Sequence, residues 1–202
     1  MKLTIATLEL MPGKRQDINL APLTLRDLPA RKGPRPQTLR GPLHIQCNGH
    51  GDRKYIDQLV SGVLSWPQVE ALPDSTTPPT AIPIRFEESA ATLDSAPFIN
   101  GREFARILLG APTIYLALPL VYAHWAIVKG WAEPHYLSSF GLLPAGSLVV
   151  YTPRDREELS VCYILFQAAY DSAFATKSRL AEAALPGMKS VSFSMRFTNA
   201  DA

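Results

Sequence analysis

Cysteine is almost missing from this sequence. The two that occur, Cys47 and Cys162 in a chain of 202 residues, are too few for a secreted disulfide framework or a paired-thiol metal site; a single bridge between them is left open. Glycine-rich nucleotide loops, paired-histidine helices, a nucleophile elbow and cysteine clusters are absent too, so neither a metal nor a nucleotide cofactor is expected. The stretch "GHGDR" (49–53) resembles a phosphate turn only faintly, lacks a strand–loop–lysine context, and reads as a helix entry. Charge of one sign is scarce: the net value of +2 is too small to imply a nucleic-acid partner. Arg26, Arg31, Lys32, Arg35 and Arg40 form a local basic run, but prolines and leucines separate them, which fits a solvated loop better than a phosphate-binding strip.

Long apolar runs are equally limited. The N-terminal "MKLTIATLELMPGKRQD" is too short and too polar-flanked to be a secretory signal. The uncharged run from Ile107 to Val128 has the length to span a bilayer, but Gly110, Pro112 and Pro119 interrupt it. It reads as a buried strand followed by a buried helix. An intracellular (cytoplasmic) chain with no integral membrane span is the expectation.

What is present suits one folded domain. Hydrophobic residues make up 47% of the chain and charged ones 19%, enough to bury a core and too little charge for general disorder. Residues 1–37 are proline-rich and basic, and read as an extended arm pinned by Leu20, Leu23, Leu25 and Leu28. Residues 38–180 form the domain, and 181–202 a C-terminal extension. "TLRGPLHIQC" (38–47) is expected as a first strand. Asp52 is placed to cap a helix in which Tyr55, Ile56, Leu59, Val60, Val63 and Leu64 recur at helical spacing. "PDSTTPP" (73–79) is a loop. "AIPIRFEES" alternates as a half-buried strand, and "FARILLG" and "TIYLALP" are two strands around a Gly110–Pro112 turn. Pro119 opens an apolar, buried helix closed by Gly130. "SLVVYTP" (147–153) is a strand leading to a helix with Thr152 as N-cap, Pro153 at the first position and Asp155 in a capping box. Leu159, Cys162, Phe166 and Ala169 form that helix's inward stripe. This order suggests an α+β two-layer sandwich, helices packed on an antiparallel or mixed sheet.

Of four histidines, His44 reads as a strand residue, His50 as part of a glycine turn and His124 as a hydrogen-bonded core residue. His135, in "KGWAEPHY" (129–136), follows Glu133 and Pro134 on a helix exit. The carbonyls ending a helix favour its protonated form, and apolar neighbours such as Trp131 favour the neutral one. It either ties the connection to a backbone carbonyl or acts as base or donor. Tyr115, Tyr122, Trp125, Trp131, Tyr136, Phe140 and Tyr151 concentrate in the same half of the chain, as core, or as an apolar pocket with a few hydrogen bonds.

The segment "GREFARILL…IYLALPLVYAHWAIVKGWAEPHYL…SLVVYTPRDREE" resembles the fungal luciferase family, the cofactor-free enzymes of hispidin-dependent bioluminescence, and "DLPARKGPRP" (27–36) is similar to that family's N-terminal "DLP…G.RP". The likeness runs over about residues 27–175 and is thin in the middle. It implies a fold and pocket of that kind and places His135 at the pocket rim. The luminescent members carry a histidine-rich stretch where this chain has "FARILLGAPTIYLAL", with Tyr115 standing at one of those histidines; no counterpart of their membrane anchor is expected. Their reaction adds oxygen to a pyrone without metal or flavin. With fewer imidazoles and more aliphatic side chains, the resemblance points to a cofactor-independent enzyme acting on a small hydrophobic terpenoid or polyketide, by ring closure or isomerisation. The rivals are an oxygenase of a pyrone or phenol, and a non-enzymic carrier of an apolar metabolite. His135, Tyr115 and Arg106 are the expected catalytic groups, and Tyr122, Trp125, Trp131, Phe140 and Tyr151 the substrate-binding ones.

Overall fold

A computed structural model describes residues 25–73, 80–87 and 98–183, with side chains to residue 173. Residues 1–24, including Leu20 and Leu23, and most of "PDSTTPP" lie outside the described residues.

Six strands build the main sheet: β3 (Val69–Glu70), β4 (Ala81–Phe86), β5 (Glu103–Leu108), β6 (Thr113–Ala117), β7 (Ala132–Pro134) and β8 (Ser147–Val150). The order is β3-β4-β5-β6-β8-β7 and every neighbouring pair is antiparallel. Because side chains alternate along a strand, the register separates two faces. Ile107, Ile114 and Val150 point one way; the intervening Arg106, Tyr115 and Val149 point the other.

The first face carries the helices. α1 (Arg53–Leu64) starts where Asp52 accepts the Lys54 N–H at 3.0 Å, as expected, and buries Ile56, Leu59 and Val63. α3 (Arg156–Ala183) buries the expected Leu159, Cys162, Phe166 and Ala169 together with Leu165. The two helices pack on Ile84, Phe86, Phe104, Ile107, Ile114, Leu116 and Val150 in one apolar core. The result is the α+β sandwich that the element order suggested, with a purely antiparallel main sheet.

Several local expectations change. The segment 38–47 is a hairpin, β1 (Thr38–Leu39) against β2 (Ile45–Gln46), because Gly41 and Pro42 interrupt the ladder. α2 (Leu120–Val128) is not buried. Leu120, Val121 and Val128 are exposed and its buried contacts are Ala123 and Ala126. It links β6 to β7 beside the edge strand, where one side alone meets protein. The helix exit "AEP" is itself strand β7, pairing with β8, after Gly130 turns the chain at φ +80°. The cap of α3 is Asp155, whose Oδ1 accepts the Glu158 N–H at 2.8 Å; the Thr152 N–H is instead given to Gln46 Oε1 at 2.9 Å. Cys47 and Cys162 are both free thiols, one exposed and one buried. Among the described residues no helix is long and apolar enough to cross a membrane.

Candidate functional site

The second face of the sheet is only partly apolar. Ala81, Leu108, Tyr115 and Val149 cluster there, with Ile45 of the small hairpin and Ile99 packed on them. In register Tyr115 lies beside Val149, Val149 beside Glu133, and Ala117 beside Ser147. The His135 N–H extends the ladder by donating to the Ser147 carbonyl at 2.9 Å. Two-residue periodicity therefore puts Glu133, His135, Tyr115 and Ser147 on one face.

His135 and Tyr115 are in contact, ring centroids 4.6 Å apart and edge to face. His135 is buried rather than at a rim, with 1% of its surface exposed. Its Nδ1 accepts the Leu137 N–H at 3.2 Å, capping the short 3₁₀ helix Tyr136–Phe140. That bond leaves the ring proton on Nε2. Burial, with a smaller contribution from nearby His44, pushes its pKa down to about 4, so the imidazole is neutral at physiological pH. Burial pushes the Tyr115 phenol up to about 12, so it keeps its proton. The Nε2 of His135 and the Oγ of Ser147 are buried without a hydrogen-bond partner in the protein, and the Tyr115 hydroxyl, whose oxygen lies beside the His44 backbone, has no acceptor for its own proton.

Beside them stands a carboxylate–imidazole pair. His44 Nε2 is 2.7 Å from Glu133 Oε1, a close but bent approach, and His44 Nδ1 accepts the Tyr136 N–H at 3.0 Å. Glu133 also accepts from Thr38 Oγ1 at 2.6 Å and from the Tyr151 hydroxyl at 3.0 Å. Burial alone would raise the Glu133 pKa, but Thr38, Tyr151 and His44 together hold it below the ordinary value. Burial keeps His44 low despite Glu133. Both nitrogens of His44 and both oxygens of Glu133 are thus engaged, and neither is offered as a base.

The other expected residues divide. Arg106 faces the same way as Tyr115, opposite it in register, but its guanidinium grips Glu103 through two bonds of 2.6 and 2.7 Å. Tyr151 is buried and reaches the site through Glu133. Trp131 is buried with its indole N–H on the Pro29 carbonyl at 2.7 Å, away from the polar face. Tyr122 and Phe140 are exposed, 39% and 60%, and Trp125 is half-buried beside Arg26 and His124. These three do not join Tyr115 and His135. His124 is exposed, so the buried histidines are His44 and His135. Among the described residues no group of three His, Cys, Asp or Glu side chains could hold a metal ion.

Sequence reasoning missed His44, Glu133 and Ser147. A signal existed for Glu133: its spacing of two from His135 is the strand period, which a turn reading hid. Nothing local marks His44, because Glu133 lies far away in sequence.

Residues 101–169 match a family model described as "Luciferase domain". The chain is similar to the luciferases of Armillaria ostoyae and Armillaria gallica, 28% identical to each over 183 residues. Each alignment covers 82% of this chain and 65% of the relative. It thus spans under two thirds of those proteins' length. The isoniazid-induced protein IniA of Mycobacterium tuberculosis is 31% identical over 88 residues, 44% of this chain but 13% of that protein. No solved structure matches the chain.

Proposed function

We propose, on the premise that this chain is a divergent member of the luciferase-domain family, that it is an enzyme needing no cofactor, whose small hydrophobic substrate is gripped by one oxygen atom. His135 Nε2 and the Tyr115 hydroxyl would donate to a carbonyl, enol or phenol oxygen. The observation that supports this is the pair of adjacent buried donors whose protons have no acceptor in the protein. Each such group costs about 1–3 kcal/mol when left unmade, a cost that an oxygen-bearing ligand would relieve.

The protonation states narrow the chemistry. Both donors are neutral and hold their protons, and the neighbouring His44–Glu133 pair offers no free base. Such a site stabilises negative charge growing on an oxygen without removing a proton. Ring closure or isomerisation of a folded terpenoid or polyketide needs that and correct orientation. Likeness to the Armillaria luciferases favours a second reading, in which the same donors stabilise the oxyanion of a pyrone or phenol during attack on dioxygen. A carrier that returns its ligand unchanged is the third.

The test incubates the protein with a 4-hydroxy-2-pyrone, a prenylated phenol and a linear polyketide lactone, under argon and under dioxygen, with products read by mass spectrometry. Product of unchanged mass under argon supports ring closure or isomerisation; a dioxygen requirement supports the second reading; unaltered ligand throughout defeats both enzymic ones. His135→Ala should lower turnover by about 10²–10³, the share of one oxyanion donor. His124→Ala, at an exposed position, is the control, and melting temperature is measured on the same preparations. Full activity in His135→Ala removes this residue from the mechanism.

A further inference from the structure

The segments "DLPARKGPRP" (27–36) and "YTPRDREE" (151–158) play no part in the polar sheet face, yet they meet each other. Arg31 Nη2 is 3.2 Å from Glu158 Oε2. Arg154 gives Nε to Glu158 Oε1 at 2.9 Å and Nη2 to the Lys32 carbonyl at 2.6 Å. Beside them opens a cleft of about 360 Å³, lined by Arg31, Arg35, Arg154, Gln37, Asn48 and Gly49 among others.

A clamp that merely joined two segments would leave its cations satisfied. The Arg31 side chain is 2% exposed and held beside the rings of Trp131 and Tyr151, 6.0 and 5.4 Å from their centroids. Its Nε nevertheless has no partner. Arg35 gives Nη2 to the Ile127 carbonyl at 3.1 Å and has no carboxylate partner among the described residues. The acids nearby are already occupied: Glu158 by Arg31 and Arg154, Glu157 by Lys32 at 3.5 Å, and Asp155 by the Glu158 N–H. Asn48 accepts the Gln37 N–H through Oδ1 at 2.8 Å, which leaves its amide NH₂ as a further donor. The cleft thus gathers donors in excess of acceptors.

We propose that this cleft binds a phosphate- or sulfate-type oxyanion, held by Arg35 and by those guanidinium nitrogens of Arg31 and Arg154 that are not given to Glu158 or the Lys32 carbonyl. Guanidinium groups from two separate segments suit a tetrahedral head with three free oxygens better than a planar carboxylate with two. The basic run near residue 31 is then neither a solvated loop nor a nucleic-acid strip.

Isothermal titration of the full chain with inorganic phosphate and with sulfate, at low ionic strength in chloride buffer, tests this. Saturable binding of one anion per chain is expected. Arg35→Gln should weaken it at least tenfold with little change in melting temperature, since the side chain is exposed and gives only one bond, to the Ile127 carbonyl; His135→Gln should leave it unchanged. Phenyl phosphate should bind more tightly than benzoate. Absence of saturable binding, or equal affinity in Arg35→Gln, would reduce the cleft to a structural clamp. Benzoate binding as well as phenyl phosphate would overturn the tetrahedral assignment.

Discussion

Ile114 and Tyr115 are neighbours in strand β6, and both are buried, but they belong to opposite faces of the sheet and to different kinds of interior. Ile114 faces α3 in the main apolar core, where neighbours are chiefly aliphatic and aromatic and tolerate exchange for others of similar volume. Tyr115 faces His135, Ser147 and the His44–Glu133 pair, where polar atoms are buried and some lack partners. Burial on the first face stabilises the fold. On the second it prepares particular atoms, keeping His135 neutral and Tyr115 protonated, and the fold bears the cost.

The contrast is open to direct attack. The largest effect is expected from Ile114→Ala, which should lower unfolding free energy by about 2–5 kcal/mol, as for other aliphatic truncations in a packed core, measured by urea denaturation. Glu133→Gln should cost less, about 1–3 kcal/mol, because an amide has one acceptor oxygen for the donors of Thr38, Tyr151 and His44. A fully stable Glu133→Gln protein would show that this network is dispensable.

Between pH 6.5 and 4, acidity should act on the buried histidines of the second face. The unfolded His135 binds a proton near 6.5 whereas the folded one waits until about 4, so its stabilising contribution is intact above pH 6.5 and is lost as pH falls toward 4. His44, also depressed, adds in the same direction. Glu133, held below its ordinary value, extends the loss to still lower pH. Melting temperatures of the parent and His135→Gln proteins should therefore converge as pH drops from 6.5 to 4; parallel curves would mean that His135 titrates normally.

The smallest effect on stability is expected from Tyr115→Phe. Removing a hydroxyl whose proton has no acceptor in the protein should change the melting temperature little, while weakening retention of a 4-hydroxy-2-pyrone. A destabilisation above about 1 kcal/mol would reveal a structural partner for that hydroxyl.

Much of the first face was legible in the sequence. Alternation marked β4, the Gly110–Pro112 turn signal separated β5 from β6, an apolar run ahead of a capped helix marked β8, and 3.6-residue spacing marked α1 and the stripe of α3; strands β6 and β8 are buried on both faces, so their runs are continuous rather than alternating. The second face was less so. His44 and Glu133 meet only through the hairpin and the register of β7 on β8, which are long-range pairings that no local pattern encodes. The exposure of α2 went unseen for a related reason: composition reveals how apolar a helix is, not how much of its surface has a neighbour. His124 was read as buried on that account.

Gln46 bears on the order of folding. The hairpin that carries His44 has two-residue strands, so few ladder bonds of its own. It is fastened by the Gln46 N–H on Thr113 Oγ1 at 3.0 Å and by Gln46 Oε1 under the Thr152 N–H at 2.9 Å, 106 residues along the chain. Closing such a loop is entropically costly before its contacts form. The hairpin should dock after the sheet and α3 have consolidated. Gln46→Ala should then speed unfolding and leave the refolding rate nearly untouched, the signature of contacts absent from the transition state. A nascent chain would complete the polar face of its sheet last, once the β8–α3 corner had left the ribosome.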